Sequence, residues 1–124
     1  LEEYVDGIEK KYVDVLIALL QKLTGVLIED RDDLILYLIQ TTIRDLEPSD
    51  KYCIRVSGDD IYEVESNKEK ILQELGEGVS LELVEEKGLE KGQCVIETQS
   101  QMVDCGFQTQ LDTLIRDLKM LVHS

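Results

Sequence analysis

Apolar residues recur along the first part of the chain at spacings of three and four, the period of one face of a helix. Positions 5, 8, 12, 15 and 19 form a narrow seam of the kind found in coiled coils. The pattern predicts a first helix, either the end of a longer stalk or a helix that packs on the core. Its apolar residues are Val5, Ile8, Tyr12, Val15, Leu16, Leu19, Leu20 and Leu23.

A second helix follows the stretch GVLIEDRDD, whose acids suit the positive end of a helix dipole. Either Asp30 or Asp32 can cap this helix. Pro48 is expected to end it, because the residue before a proline is pushed out of the helical region. The predicted buried stripe contains Leu34, Ile35, Leu38, Ile39, Ile43 and Leu46.

The period changes to two in Tyr52-Cys53-Ile54-Arg55-Val56, where alternation and β-branched residues predict a strand. The sequence Ser57-Gly58-Asp59-Asp60 opens a third helix, which Gly76 and Gly78 end. The side chains of this helix that are predicted to point inward are Ile61, Val64, Ile71, Leu72 and Leu75.

Three more strands and a last helix are predicted beyond Gly78. Val79, Leu81 and Leu83 alternate as a second strand, residues 93–98 form a third, and residues 101–104 form a short fourth. Asp104 is the cap or near-cap of the last helix. The apolar stripe of that helix consists of Phe107, Leu111, Leu114, Ile115, Leu118, Leu121 and Val122.

These elements predict an α+β fold in the order α-α-β-α-β-β-(β)-α. N-terminal helices precede a small mixed sheet of three to four strands, with a crossover helix, then hairpins, and a C-terminal amphipathic helix. We expect residues 1–24 to end a helical stalk and residues 25–124 to form a globular C-terminal domain. The length of 124 residues suits one such domain.

The charge of the chain limits its partners. A net charge of −14 argues against nucleic acid and anionic membranes, because both are bound through clusters of Lys and Arg. It fits a basic partner, or solubility alone. No apolar run approaches the roughly 20 residues that span a bilayer, and nothing resembles a signal peptide. The first residue is Leu, so we expect the chain to be a fragment.

The three cysteines, Cys53, Cys94 and Cys105, form no CxxC pair, and their odd number predicts structural thiols in a reducing, cytosolic compartment. None has a histidine near it that could act as a base, since the one histidine, His123, is next to the last residue. The acids at positions 29–33, EDRDD, splay around a helix start and do not converge on a metal. The sequence therefore predicts no enzyme, cofactor or metal site.

The passage that carries a family likeness begins at Gly92 and runs into the last helix. With Ile54-Arg55-Val56 and the following acid, Asp59 or Asp60, it resembles the FliH family of flagellar export regulators over roughly residues 10–122. That family is related to the SctL stators of type III secretion and to the E subunit of V-type ATPases. The matching residues are Gly92, Cys94, Ile96, Glu97, Thr98, Val103, Asp104, Gln110 and Leu111.

The chain departs from the family pattern at two places. Gln101 stands where the family usually has glycine, two positions before the Val-Asp pair, and Cys105-Gly106 replaces small residues such as Ala-Ser. Glu97, Thr98, Asp104, Gln110 and Leu111 are carried over as motif positions whose role is structural or partner-facing.

The resemblance implies a dimeric, non-catalytic stator in the bacterial cytoplasm, peripheral to the export apparatus. Such a protein binds the N-terminal region of the export ATPase, tethers it to the apparatus and restrains its hydrolysis. Its homodimer would form through the upstream helical region. The alternatives are the same domain in an injectisome or a V-type peripheral stalk, a free-standing acidic protein-binding module, or a carboxylate-dependent enzyme.

Overall fold

The computed structural model describes residues 10–22 and 33–123, and these residues form an α+β fold in the predicted order. Residues 10–22 form helix α1. The other elements are α2 (Leu34–Asp45), β1 (Lys51–Val56), α3 (Ile61–Ser66), α4 (Lys68–Leu75), β2 (Ser80–Glu85), β3 (Cys94–Glu97), β4 (Met102–Asp104) and α5 (Phe107–His123). Several predicted positions lie outside the described residues: Val5, Ile8 and Leu23, the caps Asp30 and Asp32, most of the cluster at 29–33, and the side chains of Val122 and His123.

The four strands form one mixed sheet in the order β2-β1-β3-β4. β1 runs parallel to β2 and antiparallel to β3, and β3 is antiparallel to β4. The predicted crossover between the first two strands and the hairpin of the last two are therefore confirmed. The prediction that the second and third strands form a hairpin is wrong, because β3 pairs with β1 on the side away from β2.

A buried carboxylate holds the end of the connection that leads into β3. The carboxylate of Asp60, just beyond β1, accepts a hydrogen bond from the backbone N–H of Gly92 at 2.8 Å. This bond brings the end of the 86–93 connection past β1 to its free side. Gly92 has a φ of +87°, a conformation that glycine adopts without a steric cost.

One face of the sheet carries the main core. Alternate residues of β1 and β3 are fully buried, and helices α2, α3 and α4 supply the opposing side chains. This layer of helix on sheet buries apolar surface, the main favourable contribution to folding. The fully buried members include Ile35, Ile39, Ile54, Val56, Val64, Ile71, Cys94, Ile96 and Cys105.

The third helix is interrupted, where the sequence predicts one continuous helix. Asn67 separates α3 from α4 with a φ of −113° and a ψ of 17°. Its side-chain amide donates to the carbonyl of Glu63 at 2.8 Å. Asparagine side chains compete in this way with the backbone hydrogen bonds of a helix. The inward side chains Val64 and Ile71 are nonetheless both buried, as predicted.

Helix α1 packs against α5 in a second, smaller cluster. Ile17 is buried there with Leu111 and Ile115, and Val13, Leu20 and Phe107 pack around them. The seam positions of α1 face elsewhere: Tyr12, Val15 and Leu19 are each more than half exposed. The predicted stripe of α5 is only partly buried, since Leu114 is 46% exposed.

Candidate functional site

The strand, turn and helix between Gly92 and Leu111 are tied together by buried hydrogen bonds. Asp60 is 3% exposed, and it accepts both the Gly92 N–H and the hydroxyl of Ser57, the latter at 3.2 Å. The carbonyl of Gly92 accepts from the N–H of Phe107 at 3.0 Å, where α5 begins. One acid at the end of β1 therefore positions both β3 and the last helix.

Two thiols of this unit are enclosed in the core. Cys94 and Cys105 are 0% and 1% exposed, and the N–H of Cys105 donates to the carbonyl of Cys94 at 2.9 Å. A hydrogen bond between the two thiol groups, together with burial, raises the pKa of Cys94 far above its ordinary value. A thiol held in its protonated form is a poor nucleophile, so Cys94 has a structural role.

Alkylation should therefore separate the three cysteines. With iodoacetamide at mildly alkaline pH, we expect the folded chain to react at the half-buried Cys53 and to leave Cys94 and Cys105 unmodified. Cys53 itself should react slowly, because burial raises the pKa of its thiol more than Arg55 lowers it. All three should react in concentrated urea. Mass spectrometry of peptides checks this, and early labelling of Cys94 in the folded chain would contradict it.

The turn between β3 and β4 is made by Thr98. Its backbone N–H donates to the carbonyl of Gln101 at 2.8 Å, and its hydroxyl accepts from the N–H of Gln101 at 3.1 Å. Among the described residues only glycines have a positive φ, so Gln101 fits this turn without strain. The side chain of Gln101 also accepts from the N–H of Glu47 at 3.2 Å, which ties the turn to the end of α2.

Asp104 and Gln110 fix the start of α5. Asp104 accepts from the N–H of Gly106 at 2.9 Å, directly before the helix begins. Gln110 donates from its side chain to the carbonyl of Cys105 at 3.0 Å and to the hydroxyl of Thr42 on α2 at 3.5 Å. Leu111 lies in the cluster with α1. These three motif positions orient the last helix.

Glu97 differs from the other motif positions because it lies on the side of the sheet that no helix of the described residues covers. Its carboxylate is 3.7 Å from the guanidinium of Arg55, with both side chains about one-third exposed or slightly more. A pair this exposed contributes little to stability. The five motif positions therefore do not converge on one point: Glu97 is on the sheet face, Thr98 in a turn, and the rest around α5.

The side of the sheet that no described helix covers forms a surface that we call the open sheet face. The strand pairing arranges its side chains in two rows across the four strands, since residues opposite one another share a face, and a shorter third row holds Lys51 and Ser80. Neither hydrophobic cluster of the described residues includes any of its members. One row is Val84, Arg55, Val95 and Asp104, and the other is Glu82, Cys53, Glu97 and Met102.

A shallow cleft of about 330 Å³ crosses this face, and Glu97 and Thr98 line it with Cys53, Arg55 and Glu82. Sequence reasoning singled out Glu97 and Thr98 but did not identify Arg55 and Glu82 as parts of a surface. A signal for Arg55 is present in the sequence, because strict alternation with Ile54 and Val56 places it opposite the core. Glu82 alternates in the same way between Leu81 and Leu83.

The described part of the chain contains no group of three His, Cys, Asp or Glu side chains placed to hold a metal ion. In residues 10–22 and 33–123, no helix has the length and apolarity needed to cross a bilayer. What the open sheet face offers is a mixture of apolar, acidic and hydrogen-bonding groups over an extended area. Such a surface is suited to contact with another protein.

Comparison with known proteins gives the chain its family. None of the curated proteins matches it. The model of the family described as flagellar assembly protein FliH matches residues 1–114, which include all the strands and the motif positions up to Leu111. Because this match covers most of the 124 residues, the chain belongs to the FliH family and has a role in flagellar export.

Proposed function

We propose that this chain is a non-catalytic stator that binds the flagellar export ATPase, tethers it to the export apparatus and restrains its hydrolysis. The observation that carries the proposal is the family match over residues 1–114. The protein would act in the bacterial cytoplasm, peripheral to the export apparatus. The motif positions Thr98, Asp104, Gln110 and Leu111 would serve this role mainly by shaping the domain, whereas Glu97 would serve it as part of the open sheet face.

The distribution of charge supports a basic partner. Residues 33–106, which hold the sheet and helices α2 to α4, carry 17 acidic and 7 basic side chains, a net charge of −10. A surface of one sign attracts a partner of the other sign and speeds their association. A cationic N-terminal region of the export ATPase would be drawn to this part of the chain.

Helix α1 supports a homodimer through the helical region that precedes the sheet. Its residues 10–22 carry three lysines and one aspartate, a net charge of +2, in a chain whose total is −14. Tyr12, Val15 and Leu19 are exposed along the predicted seam, while Ile17 packs on α5. A second copy could cover this seam without bringing two acidic surfaces together. Residues 1–24 would then end a stalk, and residues 25–124 would be the domain that meets the ATPase.

Titration calorimetry with the export ATPase of the same genome tests the proposal. We expect binding, with two copies of the chain for each copy of the ATPase, and a lower rate of ATP hydrolysis in the complex. The affinity should fall as salt is raised, because ions screen contacts between exposed charges. Absence of heat at low salt, with hydrolysis unchanged, would refute the proposal. Binding only to an injectisome or V-type ATPase would assign the domain to that machine instead.

A further inference from the structure

We infer that the open sheet face is the surface on which the chain receives the export ATPase, through a cationic segment of the ATPase that also carries apolar side chains. This inference rests on the proposed function, because it places the contact of that same partner. Three features of this face support the inference: no layer of the described residues covers it, apolar side chains lie across its strands, and its charge is mainly acidic.

The open sheet face has no covering layer among the described residues. Helices α2, α3 and α4 supply the core on one side of the sheet, and the small cluster of α1 and α5 contains no residue of the open sheet face. On β1, Tyr52, Ile54 and Val56 are buried while Cys53 and Arg55 between them are partly exposed. Four strands about 4.8 Å apart give a surface roughly 14 Å wide. That width has room for one packed element of a partner.

Apolar side chains lie at several positions across this face. Val84 and Val95 flank the stem of Arg55 in one row, and both are partly exposed. Met102 ends the other row and is 68% exposed. Methionine adapts its shape to a partner, and the stem of arginine covers apolar surface beside it. Together these side chains can bury apolar groups of an incoming segment.

The charged groups of this face are mainly acidic. The central strand contributes two basic side chains, Lys51, which is exposed and lines the cleft, and Arg55, which Glu97 partly neutralises. Glu82 is exposed on the edge strand and has no ion-pair partner among the described residues. Asp104 lies at the other end of the face, and Glu86 follows β2. With Glu97 included, four acids outnumber Lys51 and Arg55, so the charge left on the face is acidic and selects a partner segment that carries lysine or arginine.

The same charges argue against a second copy of the chain on this face. Two sheets brought together would each carry the net charge of −10 of residues 33–106, and like charges brought together oppose association. Helix α1, with its net charge of +2, does not have this disadvantage. The two surfaces therefore fit different partners: α1 suits another copy, and the open sheet face suits the ATPase.

A pair of matched double variants tests the inference. Glu82→Lys with Met102→Lys changes the open sheet face, and Glu65→Lys with Tyr62→Lys makes the same changes in charge on α3, where Tyr62 is 78% exposed. Each pair adds three positive charges. In calorimetry we expect the first pair to raise the Kd for the ATPase by about tenfold or more, and the second pair to raise it far less. Circular dichroism verifies that both variants are folded.

An equal loss of affinity in the two variants would mean that only net charge matters, and would overturn the inference while leaving the proposed function intact. An unchanged affinity in the first variant would also overturn the inference. A second measurement does not need the ATPase: amide chemical shifts of the chain are recorded with a synthetic peptide of leucine and lysine at helical spacing. Shifts at Arg55, Val95 and Glu97 would show that the open sheet face takes a cationic segment with apolar side chains. If the ATPase itself did not bind, the proposed function would then fail and the face would belong to another cationic partner. Shifts confined to α2 and α3 would overturn the inference.

Discussion

Replacing Ile96 with alanine is expected to lower the free energy of unfolding by about 3–4 kcal/mol. Ile96 is 0% exposed and lies in β3, opposite Ile54 on one side and Val103 on the other. Truncation removes buried methyl groups and leaves a cavity between the sheet and its helices. A domain of this size has about 5–15 kcal/mol of stability in total, so the variant should be close to unfolding.

Urea denaturation followed by circular dichroism measures this loss. The matched control is Val95→Ala, the neighbouring residue on the partly exposed side of the same strand, which should cost about 1 kcal/mol or less. Ile96→Val keeps most of the volume and should cost about 0.5–1.5 kcal/mol. A loss for Ile96→Ala no greater than that for Val95→Ala would mean that the helices do not cover this face of the sheet.

Replacing Asp60 with alanine is expected to cost about 2–4 kcal/mol. The change leaves the backbone N–H of Gly92 and the hydroxyl of Ser57 without their acceptor in a buried position. A buried donor that loses its partner carries the full cost of its lost hydration. Asp60→Asn retains one side-chain oxygen as an acceptor and should lose less stability.

Asp59 is the natural control for this position, because it is exposed and directly precedes Asp60. Asp59→Ala should change the free energy of unfolding by no more than about 0.5 kcal/mol. Urea midpoints of the three variants give the comparison. Similar midpoints for Asp59→Ala and Asp60→Ala would show that the bond to Gly92 does not fix the position of β3.

The sequence predicts most of the fold because its periodicity is local. Ile54 and Val56 alternate with polar neighbours, and Ile71 follows Val64 at helical spacing, so the type of each element is visible without knowing its partner. The pairing of β3 with β1 is not visible in the local sequence. We attribute it to the bond between Asp60 and Gly92, which are 32 residues apart. The spacing of apolar residues cannot predict a single buried hydrogen bond between two such distant positions.

The surfaces were harder to predict than the core. The spacing of apolar residues in α1 fits two stripes, and the one that packs on α5 contains Val13 and Ile17, which the coiled-coil seam leaves out. The family motif identified Glu97, but its neighbours on the open sheet face come from other strands. Glu82 joins that face only because β2 runs parallel to β1. Alternation assigns a residue to one side of a strand, and pairing decides which residues share a surface.

The packing of α1 on α5 has a consequence for the order of folding during synthesis. Ile17 leaves the ribosome long before Leu111 and Ile115, its partners in the second cluster. Strand β1 can likewise pair with β2 and β3 only after those strands have been synthesised, because both lie much later in the chain. Contacts of such long range slow folding and leave apolar surface exposed in the nascent chain. The stripe of α1 that contains Ile17 therefore stays uncovered until α5 has been synthesised, which leaves the nascent chain open to aggregation up to that point.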